Sequence, residues 1–387
     1  MLAPMTDYVC PRCQVHAPAS ALTWCCPRCH GPWDLEFTGA PVSLASLTSR
    51  VNSLWRYEEV LPLATEPPQA PHVTLGEGRT PLVPLTGPGT GSGSDSGSDG
   101  GIVSAKLDFL MPTLSFKDRG AVMLAELARR LGPDTVIADS SGNAGTAVAA
   151  YCARAGLDCA VYVPEGTSPK KLEQIRAHGA RTVVVPGDRE DTARAARAAA
   201  DAPGVFYASH VYNPHFLHGT KTYVYELWED LGGRLPETLV LPVGNGTLLL
   251  GAALAVEELY GHGLVDRRPA LVAVQAAAVA PLAAAFRAGA EEPSGPAPVR
   301  PTLAEGIAIP APPRAAQILR AVRATGGTFL TVTEEQIRAA QLDLARRGLF
   351  VEPTGVACWA AVRAAPGRPG TTVLPLCGAG AKTGLAA

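Results

Sequence analysis

Apolar residues follow two spacings along this chain. Short, mostly apolar runs fall at 102–106, 135–138, 159–163, 182–185, 239–241, 270–274 and 372–376. They are too short for helices and most are flanked on one side by Gly, Pro or Asp, so they read as buried strands. Between them, apolar residues recur every three or four positions. After Lys117 the residues Ala121, Leu124, Ala125, Ala128 and Leu131 share one helical face, and Gly132-Pro133 stops the pattern. Further helices are predicted over 146–155, ending at Gly156, over 169–178, and from Thr247 onward. Short strands alternating with helices from about Leu107 predict an α/β fold with parallel sheet, and the length fits two such units.

Two stretches fall outside this pattern. Residues 87–101 read GPGTGSGSDSGSDGG, a composition that buries no apolar surface. The strand at 102–106 follows at once, so the tract is expected to be a surface insertion in a hairpin-like connection. Residues 291–301 form a second Pro/Gly-rich connection.

Composition narrows the class. The 387 residues are 47% hydrophobic and 18% charged, an ordinary globular balance. Lys+Arg 33 against Asp+Glu 35 leaves a net charge of -2, with no basic run to meet nucleic acid. No apolar stretch is long enough to span a bilayer, and the first residues lack the charged and apolar regions of a secretory signal. No nucleic-acid or membrane partner is expected, and a cytoplasmic location is.

Five of the nine cysteines lie within the first 30 residues. Cys10-Pro-Arg-Cys13 and Cys26-Pro-Arg-Cys29 are two CxxC knuckles with twelve residues between them. Four thiolates on two tight turns suit one tetrahedral Zn2+, and four cysteines leave no open position for substrate, so the expected zinc is structural. Cys25 reads as a bystander. Cys152, Cys159 and Cys358 have apolar neighbours and read as core residues.

Chemistry concentrates in a few polar turns. Pro112-Thr-Leu-Ser-Phe-Lys117-Asp-Arg-Gly120 sets one lysine at the start of a helix. The positive end of the helix dipole there lowers a lysine's pKa and favours a neutral, imine-forming amine. Ligands of parallel sheets sit at the carboxyl ends of strands, where three further loops fall. Ser140-Ser141-Gly142-Asn143-Ala144-Gly145 follows one strand and opens a helix, so its N–H groups and hydroxyls suit a carboxylate. Gly244-Asn245-Gly246-Thr247 follows another strand and suits a phosphate. Cys377-Gly378-Ala379-Gly380 ends the last strand, with a thiol that could face a ring nitrogen. An amine, an anion turn, a phosphate cup and a neutral ring partner make up the inventory of a pyridoxal 5'-phosphate site.

PTLSFKDRG, SSGNAG, PVGNGT and LCGAG, in this order, resemble the fold-type II pyridoxal-phosphate enzymes, whose fold is tryptophan synthase β-like. Within them the chain is most similar to the threonine synthase family. Leu54-Trp55-Arg56-Tyr57, the stretch LGEGRTPL from Leu75 to Leu82 and the N-terminal cysteine pairs add to that likeness. The resemblance implies a zinc-ribbon-like module at 1–39, a small α/β domain at 107–215, and a large cofactor-binding domain from 40–106 and 216–387. It gives Lys117 the cofactor as a Schiff base and makes it the base at Cα. It gives Asn143 the cofactor's phenolic oxygen, Gly244, Asn245, Gly246 and Thr247 the phosphate, and Cys377 the ring nitrogen. Ser140, Ser141 and Gly142 take the substrate carboxylate.

The implied function is a lyase that turns O-phosphohomoserine into threonine, acting on a small amino-acid substrate as a homodimer. One position departs. Asn213-Pro-His-Phe216-Leu-His-Gly-Thr-Lys221-Thr has Phe216 where the family carries a phosphate-binding arginine. Lys221 remains for the phosphate, with His215 and His218 beside it when protonated. The departure leaves β-elimination or β-replacement open as an alternative, and a non-catalytic cofactor-binding homologue as a second.

Overall fold

The computed structural model describes residues 6–64, 72–86, 101–298, 300–365 and 370–385. Apart from Gly101, the Gly/Ser/Asp tract lies outside the described residues. In chain order the strands are β1 Tyr8–Val9, β2 His16–Ala17, β3 Asp34–Leu35, β4 Leu82–Pro84, β5 Ile102–Lys106, β6 Thr135–Ala138 and β7 Cys159–Pro164. They continue as β8 Arg181–Val185, β9 Val205–Tyr207, β10 Thr238–Pro242, β11 Ala270–Ala276, β12 Thr328–Val332 and β13 Thr371–Pro375. The α-helices are α1 Leu44–Leu47, α2 Lys117–Leu131, α3 Asn143–Ala155, α4 Pro169–Ala177, α5 Arg189–Ala200 and α6 His215–Thr220. They continue as α7 Thr222–Asp230, α8 Thr247–Gly261, α9 Pro281–Arg287, α10 Ala315–Ala324, α11 Glu334–Arg346 and α12 Pro353–Ala364.

Every strand read from the sequence is present, with ends moved by a residue or two. Helix α3 begins at Asn143, three residues earlier than the apolar spacing suggested, because Asn143 and Gly145 add no large apolar side chain to that spacing. It stops at Gly156, whose φ of 69° supplies the left-handed cap. Among the described residues, no helix is long and apolar enough to cross a membrane.

The chain forms two compact units, residues 1–78 with 117–222, and 79–116 with 223–387. The expected module at 1–39 falls in the first unit with most of the expected small domain, and three further segments are grouped differently from the expected bounds. Residues 40–78 join the first unit because they pack on α2: Leu54, Trp55, Leu61, Leu63 and Val73 share one apolar cluster with Ala121–Ala128. Residues 107–116 join the second, and 216–222 the first.

In the first unit a four-stranded parallel sheet has the order β8-β7-β6-β9. Helices α2 and α6 meet at backbone distance. A Cβ on Gly120 would strike the Phe216 ring, and one on Gly219 would strike the Arg119 carbonyl. A separate three-stranded antiparallel sheet, β2-β1-β3, carries the N-terminal module around Tyr8, Cys10, Cys26 and Trp33.

In the second unit six strands run β12-β11-β10-β13-β5-β4, all parallel except the antiparallel pair β4–β5. That pair confirms the hairpin-like connection expected around the Gly/Ser/Asp tract. Strand β10 is buried along its whole length, as fits a parallel sheet covered on both faces. Lys106 ends β5 wholly buried, with its Nζ 3.1 Å from Glu226, 2.7 Å from Asp230 and 2.6 Å from the Thr80 carbonyl. Glu226 is also fully buried, so this network holds α7 against the sheet. Removing one partner of such a pair costs on the order of 3–5 kcal/mol.

Candidate functional site

In the first unit, Lys117 is the first residue of α2 and half-buried. Its Nζ lies 5.9 Å from the centre of the Phe216 ring. His210 meets the same ring edge-on at 5.8 Å between centroids. Burial, then the nearby Lys117 and Arg189 charges, hold the His210 pKa well below its ordinary value. Phe216 and a neutral imidazole therefore flank the lysine.

The second predicted loop caps α3. Ser140 is buried and its Oγ accepts the Gly142 N–H at 3.3 Å, which fixes the turn. Gly145 must be glycine, because a Cβ there would overlap the Ser140 carbonyl. Ser141 and Asn143 are half-buried, Gly142 is exposed, and no side chain caps the helix start. This leaves an N-terminus suited to an anion. Tyr151, further along α3, donates its OH to Glu77 at 2.9 Å. Glu77 is fully buried, and burial raises its pKa. The GEGRT segment is thereby tied to the helix that Asn143 begins.

Two loops of the second unit leave neighbouring strands. Gly244–Thr247 follows β10, and Cys377 follows β13, the strand beside it. Gly246 has φ 77° and caps α8 without a side-chain bond. A Cβ on Gly244 would lie 2.9 Å from Ile307 Cα, and one on Gly246 would overlap the Ile318 side chain. The glycines are thus required by packing, and the 15-residue helix turns its N-terminus toward the loop. Cys377 is 2% exposed, and its carbonyl accepts the Phe116 N–H at 2.9 Å, one residue before Lys117. Ser115 pairs with Gly378 in an antiparallel bridge, and its buried Oγ has no hydrogen-bond partner among the described residues. A fully buried hydroxyl left unpaired is costly and marks a place where a polar ligand fits. Within the second unit, the uncapped start of α8 and this hydroxyl suit the phosphate and ring of pyridoxal phosphate.

The four N-terminal thiols converge. Cys10 and Cys29 Sγ are 3.4 Å apart, Cys13 and Cys26 3.4 Å, and all four sulfurs lie within 4.8 Å of one another. Both knuckles use one turn: Gln14 N–H donates to Cys10 O, and His30 N–H to Cys26 O, with Gln14 and His30 at positive φ. Cys25 is not in the group; its Sγ lies 3.9 Å from His30 Nδ1. Cys152, Cys159 and Cys358 are buried, as their apolar neighbours suggested.

The segment from Asn213 to Lys221 is packed inside the first unit. Lys221 is fully buried just after α6, with Nζ 5.1 Å from the Phe37 ring centre. His215 and His218 are buried too and carry no charge at neutral pH. Burial, then Arg130, pushes His215 down to about 3, and burial, then Lys221 and His215, holds His218 well below its ordinary value. The N-terminal module covers them. The Asn213 amide donates to the Tyr8 hydroxyl at 3.2 Å, the Trp33 N–H to the Tyr212 carbonyl at 3.1 Å, and Phe37 meets His218 edge-on. Sequence reasoning also missed His210, Ser115 and Glu352. The one signal for Glu352 was an acidic residue just before a helix-opening proline.

Residues 73–378 match the family of pyridoxal-phosphate dependent enzymes. The chain belongs to that family, in its fold-type II branch. It is 31% identical over 360 residues to a threonine synthase of Methanosarcina acetivorans, spanning 92% of this chain and 85% of that one. It is 36% identical over 288 residues to a threonine synthase of Mycobacterium leprae, spanning 74% and 75%. Among solved structures, a threonine deaminase from T.th. is similar at 31% identity with a TM-score of 0.62, over 72% of this chain and 88% of that one.

Proposed function

We propose that this chain converts O-phosphohomoserine to threonine, removing the γ-phosphate and adding water at Cβ. The observation that carries the reading is its likeness to threonine synthases along most of both chains. Bound pyridoxal phosphate supplies an electron-withdrawing ring that stabilises negative charge at the substrate Cα. Lys117 carries the cofactor and moves the proton at Cα. Asn143 bonds the cofactor's phenolic oxygen, and Gly244, Asn245, Gly246 and Thr247 offer N–H groups to its phosphate at the positive end of α8. Cys377 meets the ring nitrogen as a neutral thiol. Ser140, Ser141 and Gly142 hold the substrate carboxylate.

A second reading, β-elimination on a serine- or threonine-like substrate, rests on Phe216. The ring is fully buried, packed on Gly120 beside Lys117, and offers a phosphate nothing. Incubating the enzyme separately with O-phosphohomoserine, threonine and serine discriminates the two. Threonine and phosphate from the first substrate support the proposal. Keto acid and ammonia from the others, with O-phosphohomoserine untouched, would replace it with the second reading.

We infer further that Cys10, Cys13, Cys26 and Cys29 bind one zinc ion. Metal analysis should give about one zinc per chain. Cys10→Ser should lose it and lower the melting temperature, since the module covers His215 and Lys221. Cys25→Ser should keep zinc and stability. Metal-free protein of unchanged stability would remove this reading.

A further inference from the structure

The first turn of α12 abuts the strand-end cysteine. Gly355 lies so close that a Cβ there would stand 3.1 Å from the Cys377 nitrogen and 3.4 Å from that of Gly378. The N-terminus of a 12-residue helix carries partial positive charge, which stabilises a nearby thiolate. Taken alone, this would draw the proton off Cys377.

Glu352 stands at the cap of that helix. Its N–H donates to the Gly378 carbonyl at 2.9 Å, and its carbonyl accepts the Gly355 N–H at 2.9 Å. Its side chain does not cap α12. The carboxylate instead occupies the space a Cβ on Gly378 would need, so residue 378 must be glycine. Glu352 is 8% exposed and Cys377 is 2% exposed. When ionised, a carboxylate so poorly screened by water, set against the residue that follows Cys377, opposes the helix and makes thiolate formation costly.

Among the described residues, Asp343 on α11 is met by Arg347 and lies 3.7 Å from Arg363, and Glu305 lies on the 3-10 turn that packs on α12. Lys106 is held by Glu226 and Asp230, Asp108 accepts the Thr80 hydroxyl, and Lys382 donates to the Thr113 carbonyl.

We propose that Glu352 is a positioning residue that keeps Cys377 an uncharged thiol against the pull of α12. This rests on the reading of Cys377 as the ring-nitrogen partner, because a thiolate there would bring a proton onto the ring. Glu352 thereby sets how strongly the ring withdraws electrons.

The test is the ultraviolet thiolate titration of the full-length enzyme, taken as the difference from its Cys377→Ser variant so that one thiol is counted. In the Glu352→Gln background the Cys377 midpoint should fall by about one pH unit, a tenfold gain in thiolate. Glu352→Asp should fall less, and it carries the same test should Glu352→Gln not fold. An unchanged midpoint in the folded variant overturns the proposal. The parent reading fails separately: if Cys377→Ser leaves the absorbance and affinity of bound cofactor unchanged, Cys377 is not the ring partner, whatever its titration shows.

Discussion

Replacing Lys117 with alanine should remove the visible absorbance of bound cofactor and lower turnover by on the order of 10³-fold or more. The side chain is half-buried at the first position of α2, outside the packed face from Ala121 to Ala128. Alanine suits a helix, so the fold should survive. Far-ultraviolet circular dichroism and the melting temperature check that directly. The effect is large because one amine is assigned both the anchoring of the cofactor and the proton at Cα. A folded Lys117→Ala protein that kept the absorbance and the rate would dissolve the site as drawn.

Acid should destabilise the enzyme well before carboxylates titrate. His210, His215 and His218 are all held neutral in the folded chain, in each case chiefly by burial. The unfolded chain takes up their protons near the ordinary histidine pKa, ~6.5. Below that pH the unfolded state binds more protons than the folded one, so stability rises with pH. The stabilisation is complete above ~6.5 and drains away as pH falls, for His215 down to about 3. In that window His215 contributes ~1.4 kcal/mol per pH unit, and His210 and His218 act in the same direction. Urea midpoints at neutral pH and one to two units below should differ sharply, and His215→Gln should soften the slope. Equal midpoints would mean that these rings are not neutral in the folded protein.

The sheets and the glycine turns were legible because their signals are local. Apolar runs of three to five residues define β6, β7 and β10, and Gly156 marks the end of α3. The four thiols were legible from spacing alone. The short helix α6 was not, because its burial comes from elsewhere. Gly120 on α2 makes room for Phe216, and Tyr8 and Phe37 of the N-terminal segment cover His215, His218 and Lys221. From sequence, the string of His, Thr and Lys reads only as residues available to a phosphate. Glu352 was hidden for a similar reason: sequence suggests a helix cap, while its carboxylate turns to Gly378.

The central claim is the reaction itself, and oxygen-18 water tests it most directly. Elimination of the γ-phosphate breaks the Cγ–O bond, so the released phosphate keeps its own oxygens. Water then enters at Cβ, so the threonine hydroxyl carries the label. The account predicts labelled threonine and unlabelled phosphate in equal amounts. Homoserine with labelled phosphate would instead show hydrolysis at phosphorus and contradict it.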